Sequence, residues 1–300
     1  MKFLNKLSVF LVLFFCSFSL NAQTYLKPDE NNLKLGGLPE SPNLHSITKS
    51  KAALVLEKIK AEKIEYRYIN GSCEDRAHFI SLILKKEGVK SGKVWVFAPA
   101  KYTLMSDDLF NIQDPYEINE KVEWGYHVAP ILLIESDSFI VDLSFKEDDY
   151  IKKNEWLSKL NSKQSIYFYS KIDSYLFNTL GGLKIWNNNL DPAPSYVVPD
   201  FVPNIITGDF WALTPENDYV YRGLAINDLA IKIHNKIKTD IDKEYQKYLK
   251  SLLENIDLIE KEIVDKPSND SLADNLFSVL KKYYSERYVH WKNRYDFYNN

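Results

Sequence analysis

Three hundred residues, 45% of them hydrophobic and 14% aromatic, can bury a full core and suit one large domain or two smaller ones. A formal net charge of −3 argues against a polyanion partner, and residues 1–22, which hold Lys2 and Lys6 and no acid, leave a still more acidic remainder once removed. The sequence shows no internal repeat and no Cys/His cluster with ligand spacing, so nothing in it calls for a metal.

Residues 1–22 read as a targeting segment. Lys2 and Lys6 form a basic start, Leu7 to Leu20 an apolar run short for a membrane span, and Asn21-Ala22 a small-residue site before a cut at Gln23. The expectation is an exported protein, periplasmic or secreted, with no stable membrane insertion after cleavage. Bulky Phe14 and Phe15 stand before Cys16 where a lipid-attachment site needs small residues, so lipid anchoring is set aside. Cys73 is then the one cysteine the mature chain keeps, a thiol without a partner in an oxidising compartment. Residues 23–48 wind over the surface, and 49–62 carry Ala52, Val55, Leu56 and Ile59 at helical spacing. Ile64 to Ile69 alternates, as a strand or as an extended approach to the Cys73 helix.

Gly71-Ser72-Cys73-Glu74-Asp75-Arg76-Ala77-His78 opens that helix. Ser72 followed three positions later by Asp75 has the form of a capping box, with Ala77, Ile80 and Leu84 spaced behind it, so Cys73 is the first helical residue. The free N–H groups and positive dipole end of a first turn favour a thiolate and predict a thiol more acidic than a free one. Arg76, about 60° around the helix, adds positive charge near the same face. Glu74 and Asp75 oppose it. The alternative is a small buried apolar residue, the commoner role of a cysteine. His78 lies about 140° from Cys73 and reads as packing or as support for the site.

Gly88 ends this helix, and Lys85-Lys86 suit its negative end. Lys93 to Phe97 predicts a strand, and residues 101–121 an acidic, polar loop long enough for a rim or lid. Trp124-Gly125-Tyr126-His127 runs on through Pro130 to Ile134, and after a polar turn comes Phe139 to Leu143, which together predict an antiparallel hairpin. A two-residue turn at Glu135-Ser136 pairs Ile134 with Asp137 and, along the strands, Ala129 with Asp142. His127 shares the face of Ala129 and so lies diagonal to Asp142, about 7–8 Å away. A carboxylate in so apolar a run needs a partner; His127 is the one the hairpin offers, and backbone N–H groups are the other. Pro130 predicts an edge strand or a bulge. His45, His234 and His290 sit in polar or helical contexts that offer no cysteine.

Together, GSCEDRAH at 71–78, WGYHVAPILLI at 124–134 and IVDLS at 140–144 resemble the bacterial protein-glutamine glutaminases, which deamidate glutamine side chains in proteins. The resemblance covers roughly residues 65–150. It implies a Cys-His-Asp triad on a core similar to those of transglutaminases and papain-like peptidases, with Cys73 as nucleophile, His127 as base and Asp142 as orienting acid. Asn70, Arg76, Trp124 and Tyr126 are the candidates for oxyanion stabilisation or substrate positioning. The implied partner is a protein or peptide substrate, with no metal and no organic cofactor. Leu143 departs from the proline that usually follows the family's aspartate. The stretch from Gln23 to Cys73 is short beside the family's inhibitory segment, so any such restraint is expected elsewhere. A transglutaminase-like acyl transferase, a papain-like peptidase and a non-catalytic surface module all remain open, since the same residues or the same fold would serve each.

Residues 151–186, with Trp156, Tyr167-Phe168-Tyr169 and Tyr175, predict a strand or two and a helix closing the core. Pro192, Pro194, Pro199 and Pro203 mark a connector. From Leu229 through Ile233, Ile237, Ile241 and Tyr245 to Ile263, apolar residues recur at steps of four and three, predicting one long amphipathic helix that Pro267 breaks. Leu272 to Trp291 predicts a second, whose aromatic and basic residues read as a packed face and not as a nucleic-acid surface. The expected organisation is a signal peptide at 1–22, an amidohydrolase core at 23–186, a connector at 187–208 and a helical region at 209–300. The expected class is α+β: a papain/transglutaminase-like antiparallel sheet with an N-terminal catalytic helix, plus a C-terminal helical hairpin that docks on the core and could restrict access to Cys73.

Overall fold

The computed structural model describes residues 44–98, 107–116, 121–160, 165–172, 175, 219–239, 242–254 and 271–300. The expected targeting segment and Pro-rich connector lie outside the described residues. In chain order the elements are β1 (Ser46–Ile47), α1 (Lys49–Ala61), α2 (Cys73–Lys86), β2 (Gly92–Phe97), β3 (Phe110–Gln113), β4 (Lys121–Trp124), β5 (Tyr126–Ile134), β6 (Asp137–Ile140), β7 (Ile151–Lys152), α3 (Lys153–Lys159), β8 (Ile166–Lys171), α4 (Tyr219–Thr239), α5 (Lys243–Glu254) and α6 (Ser271–Asn299).

Helix α1 starts where Thr48 caps it, its hydroxyl accepting from the Lys51 N–H at 3.2 Å, and it buries Ala52, Val55, Leu56 and Ile59 as the spacing predicts. Helix α2 differs, being buried without interruption from Asp75 to Leu84. A helix covered all round must have neighbours on all sides. It has β5 against one side and α1, α4 and α6 against the others. Its polar residues therefore need internal partners. Ser81 Oγ donates to the Ala77 carbonyl at 2.7 Å, and His78 Nδ1 meets the Lys93 ammonium at 3.1 Å. The helix ends as predicted at Gly88, which takes φ +70°, donates to Lys85 O and lets the Val89 N–H reach Leu84 O.

The main sheet runs β7-β6-β5-β2-β8, antiparallel throughout, and β1 adds a short parallel pairing to the far end of β5. Strand β5 is central and its apolar run is nearly continuous, as a strand packed on both faces requires. Leu132 and Ile134 join the cluster shared with the helices, whereas Ala129 and Ile131 join a second cluster with Val94, Val96 and Trp156 on the opposite face. Period two carries His127 to that second face. The hairpin has the expected register, with Ile134 opposite Asp137 and Ile131 opposite Ile140.

Three expectations are corrected. Pro130 sits in a central strand, neither at an edge nor in a bulge, opposite Lys93 of β2. Its carbonyl accepts the Val141 N–H at 2.9 Å. In an extended residue the N–H and C=O face the same neighbour, so the donor that proline lacks would face Val141, one residue past the end of β6. The ladder stops where the donor is missing. Residues 101–121 are not all loop: Phe110-Asn111-Ile112-Gln113 pairs with Lys121 to Trp124 as a separate two-stranded sheet that buries Phe110 and Val122. The helix expected from Leu229 to Ile263 is split into α4 and α5, which pack on each other. Thr239 turns its hydroxyl back onto Asn235 O, and the Asp242 carbonyl accepts the Gln246 N–H to start α5, as residues that favour caps over helix interiors do.

Helix α6 packs along α4 and reaches α2. Trp291 and Leu280 are fully buried there, and the Trp291 indole N–H donates to Asp228 of α4 at 2.6 Å. Arg294 and Tyr298 both donate to Glu62 at the end of α1. The C-terminal helices are thus welded to the core through α1 and α2. No helix among the described residues is long and apolar enough to cross a membrane.

Candidate active site

A cleft of about 700 Å³ opens at the start of α2. One wall is the turn from Asn70 to Asp75, another the junction of β4 and β5 from Glu123 to Tyr126, and the third is Tyr175 with the first turns of α4. Asn70, Cys73, Trp124 and Tyr126 all line it. Arg76 does not. It is buried, donates to the Tyr68 carbonyl at 3.2 Å and lies behind the sulfur, facing a small cavity of about 10 Å³ that Cys73, His127 and Asp142 also line. It is a charge behind the site, not a hand in the cleft.

His127 and Asp142 come together as the diagonal pairing predicts. Asp142 Oδ2 lies 2.8 Å from His127 Nε2, and both residues are buried. The carboxylate also takes the Trp156 indole N–H at 2.8 Å on the same oxygen and the Ser144 backbone N–H at 3.1 Å on the other. Burial alone would raise its pKa, but the charge and hydrogen bond of His127, the Trp156 donor and the Arg76 charge hold Asp142 below the usual aspartate value. The imidazole is clamped between two indoles, Trp124 at 5.3 Å and 12° and Trp156 at 5.5 Å and 29°, with the Phe145 ring edge-on at 5.6 Å. With Nε2 committed to Asp142, Nδ1 is the remaining ring nitrogen, and His127 lines the small cavity that Cys73 also lines.

Cys73 is the first residue of α2, as expected, but its surroundings are not those of an acidic thiol. Ser72 adopts a left-handed conformation, φ 52°, and its side chain makes no cap hydrogen bond. Asp75, the other member of the predicted box, is buried, bonded to the Tyr175 hydroxyl at 2.5 Å and also to Ser72. Loss of hydration and the neighbouring Glu74 carboxylate push the Cys73 thiol well above the ordinary cysteine range. Arg76 and the Val128 N–H, which donates to the sulfur, act the other way without offsetting them. The expectation of a depressed thiol pKa is therefore overturned, because burial outweighs the field of the first turn. The sulfur donates instead to Glu74 Oε2 at 3.2 Å.

His78 is no base for Cys73. Burial and the Lys93 ammonium bring its pKa down to about 2. The structure adds residues that spacing did not single out. Trp156 and Phe145 hold the imidazole, Glu74 and Tyr175 shape the acidic floor, and Gly223 of α4 comes so close to Asp75 that a Cβ there would lie 1.8 Å from its Oδ2. In the sequence, Glu74 is legible only as a charge that opposes a thiolate, and Trp156 and Tyr175 only as parts of the stretch that closes the core. No group of three or more metal-ligating side chains occurs among the described residues.

A protein family described as Glutaminase matches residues 45–160. No curated protein sequence gives a significant match. Among solved structures, the chain is similar to the NMR structure of protein-glutaminase from Chryseobacterium proteolyticum, at 16% identity and a TM-score of 0.37, covering 52% of this chain and 85% of that one. A crystal structure of protein-glutaminase gives 15% identity and 0.37, covering 57% and 92%. A crystal structure of pro-protein-glutaminase gives 18% identity and 0.36, covering 50% of this chain and 58% of that one, and a mutant of the pro form is spanned over 52% of its length. The match to the glutaminase family covers the segment that carries Cys73, His127 and Asp142.

Proposed function

We propose that the chain is an exported cysteine amidohydrolase that deamidates glutamine side chains in proteins or peptides, using Cys73, His127 and Asp142 on a core of the papain and transglutaminase kind. The observation that carries this reading is the buried His127–Asp142 pair sharing a cavity with a cysteine at a helix start, all within the glutaminase segment. The thiol is held neutral at rest, so His127 takes its proton through Nδ1 as the sulfur attacks the amide carbon. The imidazolium returns that proton to the departing nitrogen, and ammonia leaves a thioester on Cys73. Water, deprotonated by His127, then attacks the thioester and releases a glutamate side chain and the thiol. Asp142, fixed by Trp156 and the Ser144 N–H, holds the imidazole ring and stabilises its charged form. The Val128 N–H at the sulfur and the Cys73 N–H at the helix start are the oxyanion donors in this scheme.

Three products separate this reading from its rivals. With a glutamine-containing protein, deamidation yields ammonia and an intact chain bearing glutamate, whereas acyl transfer to lysine yields ammonia and covalent multimers on a gel. A peptidase shortens the chain without ammonia. Free glutamine is expected to be a poor substrate, because it lacks the flanking residues from which a protein site draws binding energy.

A further inference from the structure

The Cys73 sulfur has both an acceptor and a donor beside it. Glu74 Oε2 stands 3.2 Å from it, and the Val128 N–H points at it. Glu74 is not a loose surface acid: the Tyr126 hydroxyl donates to it from β5, and the Tyr126 ring is itself packed against Trp95 and Phe97, each at 6.1 Å. A primary amide seated at the sulfur has the complementary polarity, with a carbonyl oxygen that needs donors and an NH2 group that needs an acceptor. An ester or a carboxylate offers no N–H to Glu74, and a carboxylate adds like-charge repulsion.

We propose, building on the deamidation reading, that Glu74 is the amide-selecting residue of the site. Its carboxylate accepts an N–H of the substrate's side-chain amide beside the Cys73 sulfur, and it repels the carboxylate that hydrolysis leaves. The same contact links binding to activation. In the resting site the thiol proton is given to Glu74. When a substrate N–H takes that acceptor, the S–H is displaced towards His127, the base that must receive it. The other charges around the sulfur do not supply an alternative acceptor for the amide. Asp75 is turned to Tyr175, and burial with the Glu74 charge pushes it well above the ordinary aspartate range. Arg76 lies behind the sulfur, and the Arg222 guanidinium is over the Tyr219 ring at 4.9 Å. Glu123 lines the cleft from β4, but its carboxylate is taken up by Asn111 and by the Lys121 ammonium at 2.8 Å.

Alkylation of Cys73 tests this without turnover, because iodoacetamide carries a primary amide next to its electrophilic carbon and iodoacetate carries a carboxylate in its place. Rate constants for the mature protein, each divided by that for a small free thiol, should favour iodoacetamide by about tenfold or more, the order of one charge-assisted hydrogen bond. Glu74→Gln should collapse that preference to about twofold, chiefly by speeding iodoacetate, while lowering kcat/KM for deamidation about tenfold. Faster alkylation beside slower deamidation is an opposition that a merely structural role would not produce. Glu74→Asp, which keeps the charge but withdraws the acceptor by one methylene, should still exclude iodoacetate and lose the advantage of iodoacetamide. An equal normalised rate for the two reagents in the wild type, or a preference that survives Glu74→Gln, overturns the proposal. Failure of the deamidation reading would show separately, as no ammonia from any glutamine-containing protein with the reagent preference intact.

Discussion

The two ends of the His127–Cys73 pair are built to different standards. At the imidazole end everything is fixed. Asp142 has three donors, the ring is sandwiched between two indoles, and both residues are buried on a central strand and its hairpin. At the sulfur end the residue is half-buried, Ser72 before it is left-handed, and the thiol is held protonated by burial and by Glu74. Under the proposed mechanism, the difference means that orientation of the base, His127, is prepared in the fold, while ionisation of the nucleophile, Cys73, waits for a substrate. A thiol kept neutral until then is also less exposed to oxidation in a protein that is exported, as proposed, since the thiolate is the form that reacts.

The comparison breaks most directly at the imidazole. His127→Ala should lower kcat by about 10³-fold or more, because it removes the proposed proton carrier from both half-reactions, and should also lower the thermal unfolding temperature, because Asp142 stays buried without its partner and the two indoles lose the ring between them. Trp156→Phe sharpens the point: it keeps a ring against His127 but deletes the donor to Asp142. It should cost about 1.5–3 kcal/mol, read as kcat and as stability together. Chemical denaturation across pH checks the same carboxylate. The folded pKa of Asp142 is depressed, so its stabilisation is present above the unfolded value near 3.9 and is lost as pH falls through the folded one. Asp142→Asn should therefore flatten the acid limb of stability.

At the sulfur end the expected effects are smaller and of another kind. The alkylation rate of Cys73 should climb with pH to a midpoint above that of a free thiol, since its folded pKa is raised, and a midpoint below it would put a preformed thiolate back in the site. Gly223→Ala tests the wall that α4 gives the cleft. Its Cβ cannot stand 1.8 Å from Asp75 Oδ2, so the helix or the carboxyl must shift, at a cost of about 1–3 kcal/mol in stability. KM should change more than kcat, because the wall that moves is remote from His127.

How much of this was legible in the sequence depends on which forces are local. The hairpin was legible because strand period puts His127 and Asp142 on one face for a turn at Glu135-Ser136 or one residue later, and the structure takes the first, which sets Asp142 diagonal to His127. The start and end of α2 were legible from Cys73 and Gly88. The thiol's environment was not. Burial of the first turn depends on Tyr175 and α4, which come from far along the chain, and the positive dipole end argues for a thiolate only where water still reaches it. Pro130 misled because a missing N–H matters only on the edge it would have faced, and that edge is decided by where β6 stops. The split between α4 and α5 was hidden by an apolar stripe that keeps its spacing across the break at Thr239 and Asp242. Trp156 looked like ordinary core, and its indole N–H became visible as a partner of Asp142 only once the second face of the sheet was in place.

The central claim is that Cys73, with His127 behind it, converts glutamine side chains to glutamate in a protein substrate. Ammonia release and the intact mass of a glutamine-containing protein, followed with the wild type, Cys73→Ala and His127→Ala, test it most directly. The account predicts ammonia matched one for one by glutamine-to-glutamate conversion in an uncut chain for the wild type, and neither for the two variants. Shortened substrate without ammonia, or ammonia that persists in Cys73→Ala, would contradict it.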